Sequence, residues 1–417
     1  MPAVNRRSLR ILALVPDAFG SHGGISKFSR DLLSALCAYP DCAEVVVLPR
    51  LMPAAPGTLP AKLTWITTGL GGKVRFTAAA MRCARRQPSA PLAGAAGRNS
   101  QPSSGFDLVI CGHINLLPAA FLARRFVRRA PGSPNRGRCP LVLVMHGLDV
   151  WEPHRSVLVR SLARRVDAFV SVSAFTWDRF VRWSHVAAAR QFVLPNCVDL
   201  SGFRPGEKDP VLLQKYGLAG RKVVMTLGRL FRERPKGIDE VMELLPELAR
   251  EAPRLAYLIA GDGPDRPRLA DKARFLGLSV LDCADSQAAI PSSPEPQVVF
   301  AGRVAESEKA AHYRLADAFV MPGYGEGFGI VYLEALACGI PVLASKLDAS
   351  GEALRDGTMG LLVDPRNRDD LRRGLLQVLR QPRGQVPAGL THFSHPNYVR
   401  RCHAIVDTLC PAAAADA

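Results

Sequence analysis

At 417 residues the chain is too long for one ordinary hydrophobic core, so two domains of about 200 residues are expected. Hydrophobic residues make up 48% and charged residues 22%, which excludes a disordered chain, and no apolar run reaches the roughly 18–20 residues of a membrane span. The formal charge of +17 calls for an anionic partner: nucleic acid, a phosphorylated substrate or an acidic membrane face. No zinc finger or RNP sequence supports the first of these.

The N-terminal stretch "MPAVNRRSLRILALVPDAFGS" imitates a secretory signal, with two arginines ahead of apolar residues. Its apolar part is too short and no small-residue cleavage site follows, so it reads as a buried first strand. A glycine-containing loop, "AFGSHGGISKF", and a helix, "SRDLLSALCAY", come next. "EVVVLPR", "FDLVICGH" and "PLVLVMHG" read as further buried strands, the last two running into His113 and His146. "VDAFVSVSAF" and "QFVLPNCVD" complete the first half. Continuous apolar strands alternating with helices predict parallel sheets covered on both faces. Arg85–Gly105 and Ala130–Pro140, rich in Pro, Ser, Ala and Gly, read as loops. Val198–Pro210 reads as the interdomain linker.

The second half repeats the alternation, from the strand "KVVMTLGR" and helix "KGIDEVMELLPELARE" to "LAYLIAGDGP", "QVVFAGRV", "DAFVMPG" and "PVLAS". The tail "NYVRRCHAIVDTL" is amphipathic and reads as a last helix. The expected domains are residues 1–200, residues 201–390, and a C-terminal helix within 391–417 that packs back toward the first. Ten cysteines occur with no C-x-x-C and no zinc spacing, so reduced cytoplasmic thiols are expected.

The chemistry-bearing residues fall at the ends of the strands, where ligands of such sheets bind. In "GYGEGFGIVYLEALACGIPVLAS", Glu326 and Glu334 are separated by seven residues. The spacing predicts a helix starting near Gly327–Phe328 and stopping at Cys338–Gly339, before Pro341. Glycines 325, 327 and 329 allow backbone N–H groups to approach a ligand closely, and a helix N-terminus favours an anion. Taken alone, Glu326 is a helix-capping acid and Glu334 an exposed helix residue. Arg229 ends a strand and Lys236 precedes a helix; together they could hold a diphosphate, or else belong to a solvated charge run with Arg232 and Arg234.

As an ordered set these segments resemble the retaining GT-B glycosyltransferases of the GT4 family. The set comprises Gly23-Gly24, Gly228-Arg229 with Lys236-Gly237, Gly261-Asp262-Gly263, Gly302-Arg303-Val304, and Glu326 with Glu334. The resemblance covers roughly Arg10 to Leu409 and implies two Rossmann-like α/β domains facing across a cleft. The first would bind the acceptor and the second a nucleotide sugar such as GDP-mannose or a UDP-hexose. It implies that Arg229 and Lys236 bind the donor's diphosphate, and that the Gly23-Gly24 loop lies on the donor side. Glu326 would hold sugar hydroxyls, helped by backbone N–H groups of Gly327, Phe328, Gly329 and Ile330. Glu334 would take the ribose, Arg303 and Val304 would lie along the base, and His146 would sit beside the transferred sugar. His113 stays open between a site role and a structural one. The chain departs from the family at Pro322-Gly323, where Pro-Ser is frequent, and so lacks one hydroxyl.

No Asp-x-Asp occurs in the chain. Leaving-group charge would then fall to Arg229, Lys236 and a helix N-terminus, with no metal and no further cofactor. The expected partners are a nucleotide sugar, a lipid-linked or glycan acceptor of bacterial surface polysaccharide synthesis, and an anionic membrane surface, but no nucleic acid. The basic segments Gly71–Arg86 and Ala120–Ala130 read as amphipathic helices for that surface. A cytoplasmic enzyme, peripheral on the inner face of the plasma membrane, is the resulting expectation. The rivals are a phosphorylase or epimerase on the same scaffold and a basic membrane- or nucleic-acid-binding protein without catalysis. The phosphorylases need a pyridoxal lysine signature, which is not found. The epimerases lack the two-glutamate segment, and the non-catalytic reading leaves that segment unexplained.

Overall fold

The computed structural model describes residues 8–86, 105–127, 138–186, 190–233, 236–283 and 297–411. Most of the two loop segments named above lies outside these residues. The chain forms two compact units, one of residues 1–196 with 396–417 and one of 197–395.

In the first unit the strands are β1 (Leu9–Val15), β2 (Cys42–Pro49), β3 (Leu63–Trp65), β4 (Leu108–Cys111), β5 (Leu141–Met145), β6 (Ala168–Ser171) and β7 (Gln191–Val193). They form one parallel sheet in the order β3-β2-β1-β4-β5-β6-β7. The N-terminal apolar run is thus a central strand, with Ile11–Val15 almost wholly buried. Arg10 is buried within that strand and is matched by Glu44 at 2.8 Å on β2. Helices cover both faces. The last helix, His395–Leu409, seats Cys402, Val406 and Leu409 against Leu32, Leu36, Leu108 and Ile110 of this unit. Tyr39 donates a hydrogen bond to Asp407 (2.6 Å), and His403 bonds the Ala35 carbonyl at 3.0 Å, which fixes the helix on its apolar side.

The second unit contains β8 (Lys222–Leu227), β9 (Leu255–Ala260), β10 (Ser279–Asp282), β11 (Gln297–Gly302), β12 (Ala318–Met321), β13 (Val342–Ser345) and β14 (Leu361–Val363). The order is β10-β11-β9-β8-β12-β13-β14, again all parallel. The segment read as a linker begins inside this unit, where Val198 pairs with Ser394 and donates to the Phe393 carbonyl at 2.9 Å. Among the described residues the first sheet reverses its strand order at β1/β4 and the second at β8/β12, the latter with β10 and β11 also exchanged at its edge. A crevice opens beyond the carboxyl ends of the strands at such a point.

Candidate active site

In the second unit the reversal brings the loop after β8 beside the loop after β12. Lys236 Nζ lies 2.6 Å from Glu326 Oε2, with each side chain about one-fifth exposed. Two residues 90 positions apart are therefore joined at the switch point. Gly237 makes the approach feasible. Its φ is +78°, and a Cβ there would sit 2.5 Å from the Pro322 carbonyl oxygen. Only glycine combines that backbone with that proximity.

The Gly-Asp-Gly turn supports the other side of the Arg229 loop. A Cβ on Gly261 would run into the Gly228 carbonyl, and one on Gly263 into that of Leu230. Backbone bonds from Gly228 N to Ala260 O (2.9 Å) and from Leu230 N to Asp262 O (3.1 Å) close the contact. Arg229 and Lys236 then line a pocket of about 260 Å³ together with Arg232, Asp239, Arg268 and Lys272. Arg268 grips Asp239 with two bonds of 2.8 Å, and this pairing holds the Asp239 carboxyl down at about 2. The cations on the Arg229 side of the pocket face a wall whose own charges are matched internally.

The glycine-rich loop differs from the expectation in its helix boundary. The helix is Ile330–Ala337, capped by Gly329 at φ +91°, so Gly327 and Phe328 belong to the preceding turn. A side chain on Gly329 would collide with the Tyr332 ring, and the left-handed backbone cannot continue a helix. Phe328 is buried and packs edge-on against Phe393 at 5.5 Å. Glu334 is one turn into the helix and fully buried, not on an exposed face. Tyr313 donates to its Oε2 at 2.8 Å and Lys309 lies 3.6 Å away. Burial pushes the Tyr313 hydroxyl well above its ordinary value, so it remains a donor to the carboxylate. The two glutamates have different partners: Glu326 faces Lys236, and Glu334 is built into the core beside Lys309. Arg303 is exposed and Val304 half-buried, just after β11 ends at Gly302 with φ +72°.

Asp348, which no sequence pattern singled out, is 5% exposed and holds the Glu326 loop. Its Oδ2 accepts the Glu326 N–H at 2.8 Å and its Oδ1 the Ser350 N–H at 3.0 Å, while Ala349 N donates to the Glu326 carbonyl at 3.1 Å. Burial pushes the Asp348 carboxyl up to about 6, partly offset by these bonds. A raised folded value means that the folded state binds the proton more tightly than the unfolded state does. The stability due to this group is present at pH 4 and lost as pH rises through about 6. Asp348→Asn is therefore expected to gain in thermal midpoint relative to the native protein as pH goes from 4 to 7. A midpoint difference independent of pH over that range would show that Asp348 is not the titrating group.

In the first unit, Gly23 (φ +108°) caps the helix Gly24–Cys37. The loop after β1 is closed by Asp17, which accepts from Ser21 (3.1 Å) and Ser26. His146 follows β5. Its Nε2–H donates to the Gly112 carbonyl at 2.8 Å, and its backbone N–H to Asp149 Oδ1 at 3.1 Å. The Phe28 ring meets it edge-on at 5.3 Å and the His113 ring stacks at 6.2 Å. Gly23, Gly24 and His146 thus lie at strand ends of the first unit. Arg229, Lys236, Arg303, Val304, Glu326, Glu334 and the residues 327–330 lie in the second.

Two parallel switch-point sheets, each with glycine turns and charged residues beyond its strand ends, make up a two-domain α/β fold of the GT-B class. Residues 221–381 match the description "Glycosyl transferases group 1" and residues 22–201 "Glycosyltransferase Family 4". The chain belongs to this glycosyltransferase family. It is 32% identical over 281 residues to the GDP-mannose-dependent alpha-(1-6)-phosphatidylinositol monomannoside mannosyltransferase of Mycolicibacterium smegmatis, covering 64% of this chain and 69% of that protein. It is 30% identical to the D-inositol 3-phosphate glycosyltransferase of Rhodococcus opacus, over 56% of this chain and 50% of that one. The lipopolysaccharide outer core galactosyltransferase WaaB superposes with a TM-score of 0.65 at 16% identity, over 96% of this chain and 99% of its own. Anabaena HepE in complex with UDP and glucose gives 0.61 at 20% identity, over 96% and 95%.

Proposed function

We propose that the protein is a retaining hexosyltransferase that carries a hexose from a nucleoside-diphosphate sugar, GDP-mannose first among the candidates, to a hydroxyl of a lipid-linked acceptor. The observation that carries this reading is the Lys236–Glu326 pair at the β8/β12 switch point. The names of the mannosyltransferase relatives supply the choice of sugar and the lipid. In this reading Lys236 and Arg229 neutralise the leaving diphosphate, and Glu326 accepts hydrogen bonds from the transferred sugar. Glu334 takes the ribose through its buried carboxylate, and Arg303 and Val304 run along the base. His146 donates its Nε2–H to Gly112 and so keeps a fixed ring beside the sugar. Retention follows from attack on the face the diphosphate leaves, within a short-lived ion pair.

Because the neutralising charge is carried on side chains, transfer needs no divalent ion. With GDP-mannose and phosphatidylinositol monomannoside, transfer is expected to persist in excess EDTA, and product NMR to show the donor's anomeric configuration. Complete loss in EDTA with rescue by Mn²⁺ would falsify the metal-independent mechanism, and an inverted product would remove the retaining one.

Peripheral binding to an anionic bilayer is part of the same proposal. No helix among the described residues is long and apolar enough to cross a membrane. The helices Lys73–Ala84 and Leu117–Phe126 pack side by side and expose Val74 and Leu122 among Lys73, Arg75, Arg82, Arg85 and Arg125. The surface is narrower than the sequence implied. Phe76 is buried in the core, Arg124 is paired with Asp167 at 2.7 Å, and Arg128 and Arg129 lie outside the described residues. Each exposed basic residue near the surface contributes on the order of 1 kcal/mol. Co-sedimentation with phosphatidylserine vesicles and not with phosphatidylcholine vesicles is the expected result; equal recovery with both would remove the membrane from the proposal.

A further inference from the structure

Glu334 stands in a setting that a carboxylate does not ordinarily tolerate. The helix that carries it, Ile330–Ala337, is otherwise made of apolar residues and one tyrosine, and Ile330, Leu333 and Leu336 are buried with it. Glu334 itself has no exposed surface. An ionised carboxylate in such a place must be matched by a cation and by hydrogen bonds, or it takes up a proton. The helix Lys309–Leu315 supplies both. Lys309 and Tyr313, four residues apart on one face, reach the same oxygen, Oε2. Tyr313 donates to it at 2.8 Å, and Lys309 Nζ lies 3.6 Å away.

Both groups are fixed in turn. The Tyr313 ring is fully buried and meets Phe319 at 5.6 Å and Phe203 at 6.1 Å. The Lys309 side chain is 12% exposed, and its Nζ lies 3.0 Å from Glu306 Oε1, so one ammonium serves two carboxylates. For stability alone this is a poor device. Apolar residues of the same size in place of a buried ion pair commonly leave a protein as stable or more so. A charged carboxylate gripped from one side by the Lys309 helix does have a chemical use: it accepts hydrogen bonds from hydroxyls at a fixed position.

We propose that Lys309 is a positioning residue for nucleotide binding: it keeps Glu334 charged and in place as the acceptor of the ribose hydroxyls. This rests on the assignment of Glu334 to the ribose. Lys309 touches no ligand; it acts through Glu334, with Tyr313 as the second holding group. Without the ammonium the buried carboxylate takes up a proton, and a neutral acid accepts from hydroxyls more weakly.

The test is calorimetry of the full-length protein with GDP or UDP, whichever the native protein binds more tightly, and with the 2′,3′-dideoxy analogue of that nucleotide. The native protein is expected to prefer the parent nucleotide by about 10-fold or more, the scale of hydrogen bonds to a charged acceptor. Lys309→Met should weaken the parent nucleotide by about 10-fold and the analogue little, so that the preference collapses. If Lys309→Met does not fold, combining it with Glu334→Gln removes both charges and keeps an amide oxygen at position 334. The double variant should bind the parent nucleotide as Glu334→Gln alone does, because Lys309 acts only through the carboxylate. Equal losses for both nucleotides in Lys309→Met, a preference that survives it, or a further loss in the double variant would overturn the inference and leave Glu334 on the ribose. A native protein that binds neither nucleotide, or does not distinguish the parent from its analogue, removes the ribose assignment and the inference with it.

Discussion

Glutamine in place of Glu326 is expected to lower turnover by at least about 10²-fold, the scale of losing one key transition-state contact. The geometry adds a second, opposite effect that makes the experiment specific. Glu326 Oε2 sits 2.6 Å from Lys236 Nζ and offsets its charge. Removing the carboxylate charge leaves the ammonium more attractive to a diphosphate, so affinity for GDP should hold or rise while turnover falls. Lys236→Ala should do the reverse to binding, weakening GDP by about 10-fold or more, because a charge-assisted contact is lost. Each side chain is about one-fifth exposed, so solvent screens part of the pair's attraction and both variants are expected to fold. Steady-state kinetics and calorimetry with GDP read the two effects separately. Near-native turnover in Glu326→Gln would end the assignment of this residue to the reaction.

Alanine at Gly261 is expected to destabilise the second unit by about 3–5 kcal/mol, enough to leave it largely unfolded at moderate temperature. Gly261 has φ +130°, a conformation that side chains rarely adopt, and its Cβ would overlap the Gly228 carbonyl. Neither conflict can be relieved by a rotamer, because the obstructing atom is backbone. The loop that carries Arg229 would have to leave β9, and its hydrogen bond from Gly228 N to Ala260 O would go with it. Gly24→Ala is the matched control. A Cβ there meets nothing within 4 Å at the start of a helix, so the midpoint should stay the same or rise slightly. Thermal unfolding followed by circular dichroism compares the two. An unfolding midpoint for Gly261→Ala within a degree or two of the native value would mean that the turn does not pack as described.

The central strands were legible because a parallel strand buried on both faces must be apolar at every position, as in "ILALV" and "LAYLIA". The strands Leu63–Trp65, Ser279–Asp282 and Leu361–Val363 were not read. They are three or four residues long and mostly half-buried at sheet edges, so any apolar run in them is too short to stand out. The sequence pattern places the start of the helix before Glu334 two to three residues early. Glycine at 327 and 329 is compatible with a turn or a close approach, and only the φ of +91° at Gly329 shows where the helix begins.

By itself the sequence determined the alternation of strand and helix, the parallel character of the sheets and the candidate residues at their ends. These depend on neighbours along the chain, and local patterns of polarity record them. Tertiary structure alone decided which candidates meet. Lys236 and Glu326 are joined because β8 and β12 are adjacent at a reversal of strand order, a fact about pairing between segments some 90 residues apart. The burial of Glu334 and the hold of Asp348 on the Glu326 loop have the same origin. A carboxylate's surroundings are set by distant segments packed around it, and so leave no mark in its own stretch of sequence.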